Sequence, residues 1–224
     1  MNKNKKIILF LFPVAFFLFP QFISAHVPGD QFLNLSRTDV ALIYLKLGYE
    51  HIIPMGFDHI LFILSIFFLS PKLKTVIWQA TAFTVAHTIT LGLAMAGKIT
   101  SPSYIIEPII ALSIMFVAVE NIITDKLRPT RILIVFAFGL VHGLGFASAL
   151  SDIGLPSNKF FTSLITFNVG VELGQISIIL LAWLLVGKWF SKKTWYRKRI
   201  VIPVSAAIAV IALYWTIERT FFPS

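Results

Sequence analysis

One aspartate and two histidines lie where one apolar run of this sequence begins. His51 lies seven residues before Asp58, and His59 comes directly before a mostly apolar run from 60 to 69. A charged side chain at the centre of a membrane helix costs about 2.5 to 3.5 kcal/mol on insertion scales, so an ionisable residue there marks a functional site by default. We therefore expect this stretch to bind a ligand.

Ionisable and amide side chains recur in the later apolar runs. Neutral imidazole combined with carboxylate and amide oxygen suits nickel, cobalt, zinc or copper(II), whereas copper(I) prefers cysteine or several methionines. The chain has no cysteine and only four methionines. The predicted metal ligands are His59, His87, His142, Asp58, Glu172, His51, Glu107 and His26. The residues predicted to support them or to line a path are Asn168, Gln175, Thr84, Glu120 and Asn121.

Two other classes of function fit the same side chains. Three histidines and a glutamate could hold a catalytic zinc that activates water, and Ser148 and Ser151 near His142 leave a serine hydrolase within the membrane as an alternative. The sequence has no His-Glu-x-x-His motif and no serine in a nucleophile elbow, so we favour a protein that is not an enzyme. An accessory or sensor protein that holds metal without passing it is the third possibility.

Composition determines the class of protein that must position these groups. Hydrophobic residues make up 57% of the 224 positions, charged residues only 13%, and phenylalanine occurs 22 times. This balance predicts an all-α integral membrane protein with the lipid bilayer as its partner. The net charge of +9 could suggest nucleic acid, but Lys and Arg cluster between apolar runs, which is typical of membrane orientation. We expect no nucleic-acid partner, and no pattern predicts an oligomeric state.

The N-terminal region has the features of a secretory signal. Residues 1–25 combine early lysines, an apolar stretch and a small-residue end, so cleavage after Ala25 would leave His26 with a free amine. Residues 26–53 are expected to form an outer-face segment, and the amphipathic pattern of 30–50 predicts an interfacial helix. A transmembrane domain over 54–218 and an outer-face tail over 219–224 complete the predicted organisation.

Six apolar stretches have the length that the hydrocarbon core requires. They are about 54–70, 76–97, 104–123, 132–150, 161–187 and 200–217. The loops after the first, third and fifth stretch carry most of the Lys and Arg, which places those loops inside the cell and both mature termini on the outer face of the bacterial inner membrane.

This topology predicts the depth of each polar group. Asp58, His59 and Glu172 fall in the outer half, with His87 and His142 near the middle, so they should share one layer. Glu120 and Asn121 lie near the inner end, where they could form an inner station for an ion.

The ordered motifs resemble those of the HupE/UreJ family. They are His51…Pro54-x-Gly56-x-Asp58-His59, Thr84-Val85-Ala86-His87-Thr88, Glu107-Pro108, Glu120-Asn121, Gly139-Leu140-x-His142-Gly143 and Asn168-x-Gly170-x-Glu172-x-Gly174-Gln175. The resemblance implies a membrane protein linked to hydrogenase and urease operons that acts as a nickel or cobalt permease. Pro54 stands three residues after His51, as in the second branch of the family.

Together these features predict secondary or facilitated uptake of a divalent metal. The cargo expected is nickel or cobalt, with zinc as a further candidate, and no tightly bound cofactor is expected. The chain contains no phosphate-binding loop for ATP. An inward-negative membrane potential contributes about 2.3 kcal/mol per charge per 100 mV, doubled for a divalent cation.

Overall fold

The computed structural model describes residues 32–100 and 102–222, apart from the side chain of Asp152. Within these ranges every regular element is helical. The long helices are α1 Arg37–Ile52, α2 Phe57–Leu69, α3 Leu73–Met95, α4 Ser103–Ile123, α5 Arg131–Ile153, α6 Phe160–Ala182 and α7 Ile202–Phe221, and two three-residue helices are Ser157–Lys159 and Lys188–Phe190. A π-helical turn, Trp183–Gly187, extends α6, and another, Arg197–Val201, precedes α7. The predicted signal peptide and His26 lie outside the described residues.

The helices confirm the prediction of an all-α membrane protein. Five of them, α3 to α7 with their extensions, are long and apolar enough to cross a bilayer. The pair α1 and α2 meets the same test only as a unit, and the two helices are bent by 68° at the break between them. The described chain therefore has five candidate spans, or six if the bent pair counts as one.

The first predicted span, 54–70, differs from the helix that forms there. Helix α2 has 13 residues, about 20 Å at 1.5 Å per residue, and a hydrocarbon core of about 30 Å needs more. Only together with α1 does α2 have the length and composition of a span, and α1 lies side by side with α6. Its buried residues form one stripe of Val40, Tyr44, Gly48 and Ile52. An amphipathic pattern does not distinguish a stripe that faces lipid from one that faces another helix.

Small residues allow the closest helix contacts. A Cβ atom on Gly48 would collide with the backbone of Phe167 in α6, and one on Gly170 would collide with the backbone of Leu45 in α1. On the other side of the bundle, a Cβ on Gly139 of α5 would come within 2.5 Å of a carbonyl oxygen of α3. Close approach of this kind is how helices pack in lipid, where burial of apolar surface gives no advantage.

The loops separate the two ends of the bundle. Tyr196 donates a hydrogen bond to the carbonyl of Phe68, and Arg197 donates to that of Thr124, so loops 70–72, 124–130 and 191–196 lie together. We call this the basic end because most loop lysines and arginines are there. Arg219, beside the Glu107 carbonyl, lies at the opposite end.

Candidate metal-binding site

Four histidines converge at the break between α1 and α2. His51 lies in the last turn of α1 and His59 in the first turn of α2, and their ring centroids are 4.7 Å apart. His87 of α3 and His142 of α5 approach His59 with centroid distances of 5.9 and 5.2 Å. One ring nitrogen each of His51, His59 and His87 lies within 4.8 Å of the other two. We call these four residues the histidine cluster.

The break itself follows from the local sequence. Helix α1 ends where Ile53 takes an extended conformation ahead of Pro54, because the residue before proline is disfavoured in the helical region. Helix α2 starts after Gly56, whose missing Cβ leaves room for the carbonyl of His51. Irregular backbone at membrane depth is tolerated where protein surrounds it or where it lines a cavity, and broken helices in transporters place such backbone at the substrate site.

Each histidine of the cluster has a buried ring nitrogen with no hydrogen-bond partner in the described protein. His59, His87 and His142 are buried, with at most 6% of each residue exposed. The unpaired atoms are Nε2 of His51, His59 and His87 and Nδ1 of His142. Buried polar atoms are normally hydrogen-bonded, so four unpaired ring nitrogens in one cluster mark it as a candidate ligand site. A cation is the partner that imidazole lone pairs can bind.

The proton on His87 is placed by Asn168. The amide nitrogen of Asn168 donates to the carbonyl of Leu164 over 2.8 Å, which directs its Oδ1 toward Nδ1 of His87 at 3.0 Å. Because an amide oxygen only accepts, Nδ1 must carry the proton. Nε2 of His87 is left with the lone pair, which is the tautomer that a metal ligand needs.

Ser113 places the proton on His142 in the same way. Its hydroxyl donates to the carbonyl of Ile110 over 2.7 Å, so its oxygen accepts from Nε2 of His142 at 3.0 Å. The lone pair of His142 is therefore on Nδ1. The same geometry counts against Ser113 as a nucleophile, since its proton points away from the imidazole that would have to remove it.

Aromatic rings enclose the histidine cluster. The ring of Phe146 lies 3.8 Å from that of His51, and Phe83 lies 4.9 Å from His142 between centroids. Phe62 approaches His142 from another side at 5.3 Å. These rings lower the local dielectric constant, which strengthens the interaction between a charged ion and its ligands.

Glu172, a predicted ligand, lies beside the histidine cluster but is not among its converging atoms. Its two carboxylate oxygens accept from the hydroxyls of Thr81 at 2.6 Å and Thr84 at 2.5 Å. Glu172 is one helical turn past Asn168 toward the basic end, and Gln175 follows, buried and with neither amide atom bonded to the described protein. The single layer that the sequence predicted is thus divided into two levels. The histidine cluster forms the first, and the oxygens of Glu172, Thr81 and Thr84 form the second, one helical turn closer to the basic end.

Asp58 and Glu107 lie at the opposite end from the basic loops. Nη2 of Arg219 is 3.1 Å from both carboxylate oxygens of Asp58, and its Nη1 donates to the backbone carbonyl of Glu107 at 3.4 Å. Asp58 precedes His59 in sequence, but consecutive residues of a helix point about 100° apart. The carboxylate of Asp58 therefore contacts Arg219 while His59 contacts the histidine cluster.

The predicted inner station is occupied by an ion pair. Nη1 of Arg131, which is 1% exposed, lies 2.9 Å from Oε2 of Glu120, although the two atoms are not aligned for a hydrogen bond. Asn121 accepts from Nη2 of the same arginine at 3.2 Å and donates to the carbonyl of Ser65 at 2.7 Å. Glu120 and Asn121 thus tie α4 to α5 and α2.

Sequence reasoning missed the two arginines and Ser113 as partners of site residues. Arg131 and Arg219 were counted only as charges that orient the chain in the membrane. The position of each arginine in the sequence could have revealed its partner. Each lies at one end of a span, at the same level as an acid on a neighbouring span. Ser113 carried no such signal, since one serine in an apolar helix is usually a packing residue.

Comparison with known proteins gives one match. No curated protein and no solved structure matches the chain. A family model described as HupE / UreJ protein matches residues 30–219, which include every histidine of the cluster. That family is associated with nickel and cobalt transport. The chain belongs to the HupE / UreJ family.

Proposed function

We propose that the protein is a permease that carries a divalent transition metal, nickel or cobalt, across the bacterial inner membrane by secondary or facilitated uptake. The observation that carries this proposal is the convergence of unpaired ring nitrogens from His51, His59 and His87 at a helix break. Neutral imidazole is a good ligand for nickel, cobalt and zinc and a poor one for magnesium or calcium.

The origin of the ligands favours transport over storage. The four histidines come from four helices, and two of those helices, α1 and α2, form the bent pair. A small tilt of α1 against α2 would change the distance between His51 and His59 and so the number of ligands available. Broken helices serve this purpose in other transporters, where one bundle rocks against another around a fixed site.

The enzyme alternative has less support. Ser148 and Ser151 donate to the backbone carbonyls of Gly145 and Ala147, so neither is bonded to His142. A catalytic zinc would be expected to have a carboxylate near its ligands to move protons. Asp58 is paired with Arg219, and both oxygens of Glu172 accept from threonine hydroxyls, so neither carboxylate is among the converging ligand atoms.

The distribution of charge gives the direction of transport. The basic end should face the cytoplasm, because Lys and Arg are retained on that side during insertion. An ion would approach from the end where Asp58 lies, bind in the histidine cluster, and leave past Glu172 toward the basic end. The membrane potential favours movement of a cation in this direction.

Uptake by reconstituted protein tests the proposal. Proteoliposomes that enclose a metal-sensitive chelating dye should report uptake of nickel or cobalt, and protein-free liposomes supply the background. A double variant, His59→Ala with His87→Ala, should fall to that background, whereas Ser148→Ala, at an exposed serine bonded only to its own helix, should not. Metal binding by the wild type without any flux would favour the sensor alternative and contradict a permease.

A further inference from the structure

Arg219 holds Asp58, the acid that directly precedes His59 in the sequence. One of its amino groups is 3.1 Å from both oxygens of Asp58, and its guanidinium lies over the ring of Trp215 at 5.2 Å from the centroid. The side chains of Arg219 and Asp58 are 21% and 28% exposed. The pair is therefore partly open to solvent, next in sequence to His59.

An unpaired carboxylate at this place would attract the wrong ions. Carboxylate oxygen is the preferred ligand of magnesium and calcium, which bind imidazole poorly. A free Asp58 at the entrance would collect such cations and raise the local positive charge that an incoming transition metal has to overcome. A carboxylate already neutralised by a guanidinium does not attract them in this way.

We propose that Arg219 is a specificity-determining residue: its guanidinium occupies Asp58 as a tethered counter-cation, so that this carboxylate does not collect hard divalent ions. This inference rests on the proposed function. Specificity is a difference between two binding free energies. A hard divalent ion has to displace Arg219 before it can bind Asp58, whereas a transition metal binds the ring nitrogens of the histidine cluster with the ion pair intact.

The other contacts of Arg219 hold it beside Asp58. The guanidinium lies over the ring of Trp215 and donates to the carbonyl of Glu107. A cation–π contact stabilises a guanidinium in addition to its ion pair. Trp215 therefore helps to keep the counter-cation at Asp58.

Competition by magnesium measures the effect. Nickel uptake by wild-type proteoliposomes should be little affected by excess magnesium. In Arg219→Gln the magnesium concentration that halves uptake should fall by about twofold to fivefold, the factor that a partly exposed ion pair contributes. Arg219→Lys keeps the charge and should stay near the wild type. Lys98→Gln removes an exposed positive charge at the same end without touching Asp58, and should not change the magnesium sensitivity.

A double variant decides whether the effect acts through Asp58. Adding Asp58→Asn to Arg219→Gln should remove the new magnesium sensitivity, because the carboxylate that binds magnesium is gone. Trp215→Leu loosens the guanidinium and leaves Asp58 and Arg219 in place, so it should give a smaller shift in the same direction even if Arg219→Gln fails to fold.

Unchanged magnesium sensitivity in Arg219→Gln or, if that variant does not fold, in Trp215→Leu would overturn the inference while leaving the permease intact. Sensitivity that persists in the double variant would overturn it as well. Absence of nickel uptake by the wild type would instead overturn the proposed function.

Discussion

His87 and Asn168 form a buried hydrogen bond of 3.0 Å between Nδ1 and Oδ1, and this bond fixes which nitrogen of His87 can bind a metal. Residues that orient a metal-binding histidine typically change metal affinity by about 10- to 100-fold when they are replaced. We expect a loss of that size in Asn168→Leu, measured by calorimetry with nickel on detergent-solubilised protein. Thr166→Val is the matched control, because its hydroxyl bonds only to the backbone of its own helix. Equal affinities of the two variants would show that Asn168 does not orient His87.

The sequence predicted that His59, His87 and His142 lie close together but not all of the geometry around them. His59, His87 and His142 were expected at one level because each lies near the middle or in one half of a long apolar run, and span lengths are set by the bilayer. The roles of Asp58 and Glu120 could not be predicted from depth alone. Depth says nothing about the direction of a side chain around its helix. The arginine partner of Asp58 lies 161 residues away in the sequence, and that of Glu120 lies 11 residues away.

The bent first span shows a second limit of sequence reasoning. Hydropathy located an apolar run after Pro54, but the helix paired with it across the break, α1, carries charged residues on its other faces and resembles a surface helix. Its contact with α6 depends on glycines in both helices, and only the pairing of the two helices reveals that Gly48 and Gly170 serve one interface.

The members of the histidine cluster should not be equivalent. Ring nitrogens of His51, His59 and His87 converge within 4.8 Å, whereas His142 meets the cluster through the ring of His59. We expect His59→Ala and His87→Ala to abolish both metal binding and uptake. His142→Ala should retain binding within about tenfold of the wild type, because the three converging nitrogens remain, and should slow uptake. Titration with nickel, followed by flux measurements on the same preparations, separates the two effects. Loss of all binding in His142→Ala would place this residue among the primary ligands.

The ion pair between Arg131 and Glu120 should contribute to stability. Removing one partner of a buried ion pair leaves the other charge unpaired, which costs about 3 to 5 kcal/mol. Glu120→Gln should therefore lower the thermal unfolding midpoint in detergent, since it strands a guanidinium that is 1% exposed. Adding Arg131→Met removes the stranded charge and should restore much of the loss. Slower uptake by Glu120→Gln with an unchanged midpoint would instead support a role of Glu120 as an inner station for the ion.

Glu172 is the carboxylate best placed to receive an ion that leaves the histidine cluster. It lies one turn from Asn168 toward the basic end, and the contacts of its oxygens are the hydroxyls of Thr81 and Thr84, not a basic side chain. A neutral donor gives way to a cation more easily than an arginine does, and conduction requires sites that bind with moderate strength and in series. Glu172→Gln should therefore leave nickel affinity at the histidine cluster nearly unchanged and lower the rate of uptake by about tenfold, equivalent to about 1.4 kcal/mol in the barrier.

Thr84→Val should have a smaller effect in the same direction, because it removes one of the two hydroxyls that donate to Glu172. Thr88→Val is the control, since that hydroxyl bonds to the backbone of Thr84 and not to Glu172. If Glu172→Gln weakens nickel binding as much as His59→Ala does, Glu172 belongs to the first binding site and the two levels form a single one.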